Sequence, residues 1–289
     1  MIKLKELLNK NDLKATRYEK RGSDILVNTN KGKYIIKKEK INNKILDYLK
    51  NRSCHCYLET IDHRSDYNLY PYIEEINIPN EQKMNDLIKF IAFIHRKTSY
   101  EKQVDQSEYK QIYEDLKNNV LYLKEYYNDL ITIIDTKVYY RPDEYLLARN
   151  ISIINNCLDN CEKAIDEWYN IIKDLNKKRV CVVHNNLSLD NFIESESKYL
   201  ISWDKSKIDI PIFDLYKLYC LYHNEYNFQS LINLYEKDCI LSSSEKELLQ
   251  VLMSMPNKIL LSDDIYNNCI IIKNEVKRLI KCLESVNKE

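Results

Sequence analysis

Apolar positions change their period along this chain, and the change divides it. Near the start they come in short blocks. Asp24-Ile25-Leu26-Val27 and Lys33-Tyr34-Ile35-Ile36-Lys37 flank Asn28-Thr29-Asn30-Lys31-Gly32, a composition suited to a hairpin turn. Residues 15–39 therefore read as a strand meander, preceded by a short helix over 1–12. Within 41–50 the apolar residues fall at 41, 45, 46 and 49, which is helical spacing. Residues 67–77 alternate like a further strand.

Beyond residue 78 the helical period takes over. Residues 84–97 carry apolar side chains at 87, 88, 90, 91, 93 and 94 and predict an amphipathic helix ending in Phe93-Ile94-His95. Residues 107–135 and 142–176 read as two long helices, the second opened by Arg141-Pro142-Asp143-Glu144, a good start signal. Strands at 179–184 and 199–203 interrupt the pattern with a polar loop between them. Helix resumes from Ile212, with an N-cap in Ser242-Ser243-Ser244-Glu245. The sum is an α+β, two-lobed arrangement. A small β-rich lobe spans 1–78, and a mainly helical lobe spans 79–289 with the hairpin 179–204 inside it. A ligand is expected between the lobes, where pockets commonly form.

Composition narrows the function classes. Lysine plus arginine number 44 and aspartate plus glutamate 44, so charge-driven nucleic-acid binding is not expected. No run of eighteen apolar residues predicts a membrane span, and the lysine-rich MIKLKELLNK lacks the apolar core of a secretory signal. A cytoplasmic location is expected. Nine scattered cysteines suit a reducing compartment, as small buried hydrophobes. The densest group, Cys54-His55-Cys56 with His63 nearby, lacks the spacing of a four-ligand zinc site; Cys157 and Cys161 can share a helix face. With glycine only at 22 and 32, no glycine-rich phosphate loop can be written.

The strongest local signal is VCVVHNNLSLDNFI at 180–193, an apolar strand running into a loop dense in hydrogen-bonding groups. Its His184-Asn185-Asn186-Leu187-Ser188-Leu189-Asp190-Asn191 resembles the H-x-D-x-x-x-x-N catalytic loop of the aminoglycoside phosphotransferase/choline kinase branch of the protein-kinase-like fold. Downstream, Ile201-Ser202-Trp203-Asp204 resembles that branch's I-D-[FW]-[DE], and Asp209, Pro211, Asp214 and Leu215 match its D-x-P-x-x-D-L stretch. Within the branch, the chain is similar to the CotS-type bacterial spore-coat family.

The resemblance implies roles residue by residue. Asn186 stands where the catalytic aspartate belongs, and an amide cannot take up a proton near neutral pH. Ser202 stands at the metal-binding aspartate, where a neutral hydroxyl is a weak ligand for a hard dication. His184 is expected to hydrogen-bond the backbone near the metal motif. Asn191 and Asp204 are the remaining candidates for nucleotide and magnesium, and strand alternation would put 202 and 204 on one face. Lys37 is the candidate phosphate contact. Its expected partner, a glutamate on the next helix, is absent; Asp47, Glu39 and Asp204 are the available acids. Asp190 is a weaker candidate base, and Asp214 either caps a helix or braces the loop.

The implied cofactors are ATP and magnesium. Three readings stand open. The preferred one is a pseudokinase acting as a binding or scaffold component, spore-coat related, with a protein partner. The second is an atypical ATP-dependent kinase acting on a small hydroxylated molecule, with Asp190 as base. The third is a helical interaction protein without a nucleotide site.

Overall fold

The computed structural model describes residues 2–286. In chain order the elements are α1 (Ile2–Lys10), β1 (Ala15–Arg21), β2 (Asp24–Thr29), β3 (Gly32–Lys38), α2 (Asn43–Asn51), β4 (Asp62–Arg64), β5 (Tyr67–Pro71) and α3 (Asn80–Thr98). Next come β6 (Tyr100–Gln103), α4 (Gln106–Asp135), α5 (Pro142–Ile172), β7 (Lys177–Val183), β8 (Phe192–Glu194), β9 (Lys198–Leu200) and β10 (Lys207–Asp209). The chain ends with α6 (Ile212–Tyr222), α7 (Phe228–Glu236), α8 (Ser243–Ser254) and α9 (Ile265–Val286). The protein is α+β, with a small antiparallel sheet and a larger helical part. Two compact units divide it. The first takes residues 1–100, 180–217 and 229–240; the second takes 101–179, 218–228 and 241–289.

The sheet of the first unit has the strand order β1-β2-β3-β5-β4. Its buried face carries Val27, Ile36 and Leu69, which pack with Leu7 and Leu8 of α1 and with Leu13. One face of β2, β3 and β5 is thus apolar, as the period of two requires. Both glycines sit at hairpin turns of this sheet with positive φ, 59° at Gly22 and 124° at Gly32, where a side chain would be strained. The β2–β3 turn is tighter than the sequence suggests: Thr29 pairs with Gly32, leaving only Asn30 and Lys31 between the strands.

Several boundaries move for identifiable reasons. The strand read over 67–77 ends at Pro71, whose ring nitrogen has no hydrogen for the ladder. The strand read over 199–203 ends at Leu200, because Ser202 takes a left-handed conformation (φ 66°, ψ 57°) and Trp203–Lys205 form a 3₁₀ turn. Strand alternation therefore does not relate positions 202 and 204, which corrects that expectation. Helix α5 stops at Ile172 and is followed by β7 from Lys177. The predicted cap of α8 forms fully: Ser242 Oγ accepts the Glu245 N–H at 3.2 Å, and Glu245 Oε2 accepts the Ser242 N–H at 2.8 Å.

The second unit is helical. Its core is Leu123 and Tyr127 of α4, Ile154 and Leu158 of α5, Val251 of α8, and Ile272 and Leu279 of α9. The Arg278 guanidinium is buried there and pairs with Glu275 at 2.6 Å, while Glu275 also accepts the Asn257 N–H at 2.7 Å.

Candidate functional site

The polar loop at 184–191 starts where β7 ends. Strand β7 is held by β10 through the pairs Val183–Lys207, Val182–Ile208 and Cys181–Asp209. Asp214, in the first turn of α6, then fastens the loop. Its carboxylate is fully buried and accepts the His184 N–H and the Asn185 N–H, each at 2.7 Å. His95 Nε2 lies 3.2 Å from the same carboxylate, and His95 Nδ1 lies 2.8 Å from the Tyr235 hydroxyl. Burial alone would raise the Asp214 pKa. The hydrogen bond and charge of His95, with the His184 and Asn185 contributions, outweigh it and hold the carboxyl below the usual range.

Asn185 turns the chain with φ 61°, a conformation asparagine tolerates better than most residues. Its amide donates to the Lys205 carbonyl at 3.0 Å, and its own carbonyl accepts Lys217 Nζ at 2.8 Å. His184 is buried, and its Nε2 donates to the Ile201 carbonyl at 3.0 Å. Burial pushes its pKa down, partly opposed by Asp214, so the ring stays neutral. Asn191 Nδ2 donates to the Asn186 carbonyl at 2.8 Å, and the Asn191 carbonyl accepts the Ile201 N–H at 3.0 Å. The loop and the segment leading to Ser202 are thus sewn together by backbone and amide groups.

Lys37 stands on β3 with its side chain 11% exposed. Its ammonium donates to Ser202 Oγ at 3.1 Å and lies 3.3 Å from Asp24 Oδ2. Neither Asp47, Glu39 nor Asp204 takes that place. Asp47 is exposed on α2. Glu39 accepts the Tyr70 hydroxyl at 2.6 Å; burial first, and then this bond, push the Tyr70 pKa up. Asp24 is the residue that sequence reasoning missed, and a signal for it was there. Ile25 pairs with Ile36 across the hairpin; one step further along this register sets residue 24 opposite residue 37.

Two adjoining depressions meet at Lys37. One, of about 210 Å³, is largely apolar and is lined by Ile35, Ile41, Leu46 and Trp203, with Asp190 on its wall. The other, of about 660 Å³, is polar and gathers Asp24, Asn186, Asn191, Ser202 and Asp204. Lys37, Glu39, Lys40, Ser202 and Asp204 line both. Asp190 and Asp204 are exposed, and His184 lines neither depression. Among the described residues, no three histidine, cysteine or acidic side chains gather as metal ligands. An apolar slot beside a cation-bearing polar basin suits a flat aromatic group joined to an anion.

No family model and no curated protein matches the sequence. The fold is similar to that of solved structures. An aminoglycoside phosphotransferase from Alicyclobacillus acidocaldarius matches with a TM-score of 0.71 at 10% identity, over 99% of this chain and 96% of the other. A spectinomycin phosphotransferase in an AMP-bound complex matches with a TM-score of 0.56 at 15% identity, over 93% and 94%. A choline kinase from Streptococcus pneumoniae matches with a TM-score of 0.51 at 17% identity, over 99% and 98%.

Proposed function

We propose that this chain, built on the fold of the aminoglycoside phosphotransferases and choline kinase, is a nucleotide-binding pseudokinase: it holds ATP without transferring the terminal phosphoryl at an enzymatic rate. One observation carries the reading. The Lys37 ammonium is bonded to the Ser202 hydroxyl at 3.1 Å, at the position where the resemblance calls for a metal-binding carboxylate.

A nucleotide fits these residues. The apolar slot between Ile35, Leu46 and Trp203 would take the base, and Lys37 would take the phosphates. The AMP-bound spectinomycin phosphotransferase supports a nucleotide in this fold. A magnesium ion does not fit. It favours carboxylate and phosphate oxygens, yet Ser202 is neutral and bonded to a cation. Asp24 is paired with Lys37, the Asn191 amide nitrogen is bonded to the Asn186 carbonyl, and Asp204 is a single exposed carboxylate. Asn186 completes the argument on the acceptor side. Loss of a positioned base alone lowers rates by about 10²–10⁴. The chain's role is then binding or scaffolding with a protein partner, and the resemblance to spore-coat proteins of the CotS type makes a coat component the working candidate.

The test is a thermal-shift titration with ATP, with and without magnesium, followed by a transfer assay on hydroxylated acceptors. Saturating ATP should raise the melting temperature equally in both series, with about 2.7 kcal/mol of stabilisation at 100-fold excess over Kd. Magnesium-dependent stabilisation with transfer at ordinary turnover would replace this reading with the active kinase, Asp190 or Asp204 supplying the carboxylate chemistry.

A further inference from the structure

The densest cysteine group, Cys54-His55-Cys56, plays no part in the cleft chemistry. In the fold both thiols are reduced and buried, with their Sγ atoms 3.6 Å apart. Three bonds hold their loop. The Cys54 N–H donates to the Leu49 carbonyl at 2.9 Å, Lys97 Nζ donates to the Ser53 carbonyl at 2.6 Å, and the Leu200 N–H donates to the Cys56 carbonyl at 2.8 Å.

Their surroundings favour reaction at Cys54. The hydrogen bond between the two sulfurs, and after it the Lys97 ammonium, act against burial and hold the Cys54 thiol below its ordinary range. The hydrogen bond with Cys54 and then burial push the Cys56 thiol up, and on α5 burial pushes Cys157 up to about 12 and Cys161 up to about 11. A thiol with a lowered pKa beside a second thiol is the arrangement of redox-responsive cysteines.

We propose that Cys54 and Cys56 are a modification site, at which a small-molecule disulfide converts the two thiols to an internal Cys54–Cys56 disulfide. The Cys54 thiolate attacks one sulfur of the reagent, whose S–S bond breaks and releases one thiolate. Cys56 loses its proton and attacks the Cys54 sulfur of the mixed disulfide, releasing the second. The protein loses two protons and two electrons, and the reagent takes them up and leaves as two thiols. Because both sulfurs are buried, the reaction proceeds through local opening of the loop. The bond from Leu200 to the Cys56 carbonyl links this loop to the segment carrying Ser202, and Leu58 lines the apolar slot.

The test equilibrates the full chain in glutathione buffers of decreasing reduced-to-oxidised ratio, quenches with acid, alkylates and digests with trypsin. Cleavage after Arg52 and Arg64 places both cysteines in the peptide 53–64. Expected is loss of two hydrogens from this peptide and its escape from alkylation, while Cys157 and Cys161 remain alkylated. In Cys56→Ser, Cys54 should accumulate as the glutathione mixed disulfide. A peptide 53–64 that stays doubly alkylated in oxidised glutathione alone overturns the proposal, as does pairing of either cysteine only with a different one. The wild-type map decides if the serine variant fails to fold.

Discussion

Asp24 faces Lys37 because a two-residue turn at Asn30-Lys31 sets their strands in register. The pair is partly exposed, so its direct contribution to stability is small, on the order of 0–1 kcal/mol. Its effect on anion binding is larger, because it neutralises Lys37, a largely buried cation that both depressions share with Ser202 and Asp204. Asp24→Asn is expected to tighten ATP by roughly threefold to tenfold, about 0.6–1.4 kcal/mol. Lys37→Met should abolish the ATP-induced thermal shift; calorimetric titration of both variants checks the pair of outcomes. Asp214 acts on stability instead. Asp214→Asn leaves a backbone N–H at the loop without its acceptor, at a cost of about 2–4 kcal/mol at neutral pH. Its pKa is lowered on folding, so its contribution is complete above the unfolded value of about 3.9 and is lost as pH falls through the folded value. Melting temperatures of wild type and variant should therefore keep a constant gap from roughly pH 8 to 5 and converge below about pH 4.

At the scale of elements, caps and turns explain what periodicity alone leaves out. The Ser242–Glu245 box was legible because a serine three residues before a glutamate, ahead of an apolar run, satisfies two orphan N–H groups. Glu245 also accepts Arg179 Nε at 2.9 Å. Ser242→Ala should lower stability by about 1 kcal/mol, seen as a lower denaturant midpoint with an unchanged slope. The turn at Ser202 was not legible. A left-handed serine carries no signature of its own, since glycine or asparagine is the usual occupant. Its conformation goes with the loop bonds from Asn191 and His184 to Ile201, residues ten and seventeen positions away in sequence. For the same reason the Lys37–Ser202 contact, across 165 positions, could not be read from spacing.

On the scale of the whole molecule, the first unit is assembled from separated stretches. Tyr57 bridges to Leu200, the Ile76 N–H donates to the Glu194 carbonyl at 2.8 Å, and the Phe90 and Phe192 rings pack 5.7 Å apart. A fragment of residues 1–100 lacks those partners and is expected to show no cooperative unfolding transition by circular dichroism, whereas the full chain should. What the amino-acid order determined by itself was local: the meander, the helices, the α8 cap and the polar loop after β7. Periodicity and side-chain chemistry act within a few residues, so they can be read along a line. Tertiary structure alone decided that Ser202 turns left-handed and bonds Lys37, and that Lys97 reaches the loop of Cys54 and Cys56. Each of those rests on groups brought within hydrogen-bonding or charge distance by packing, and such distances have no counterpart in sequence separation.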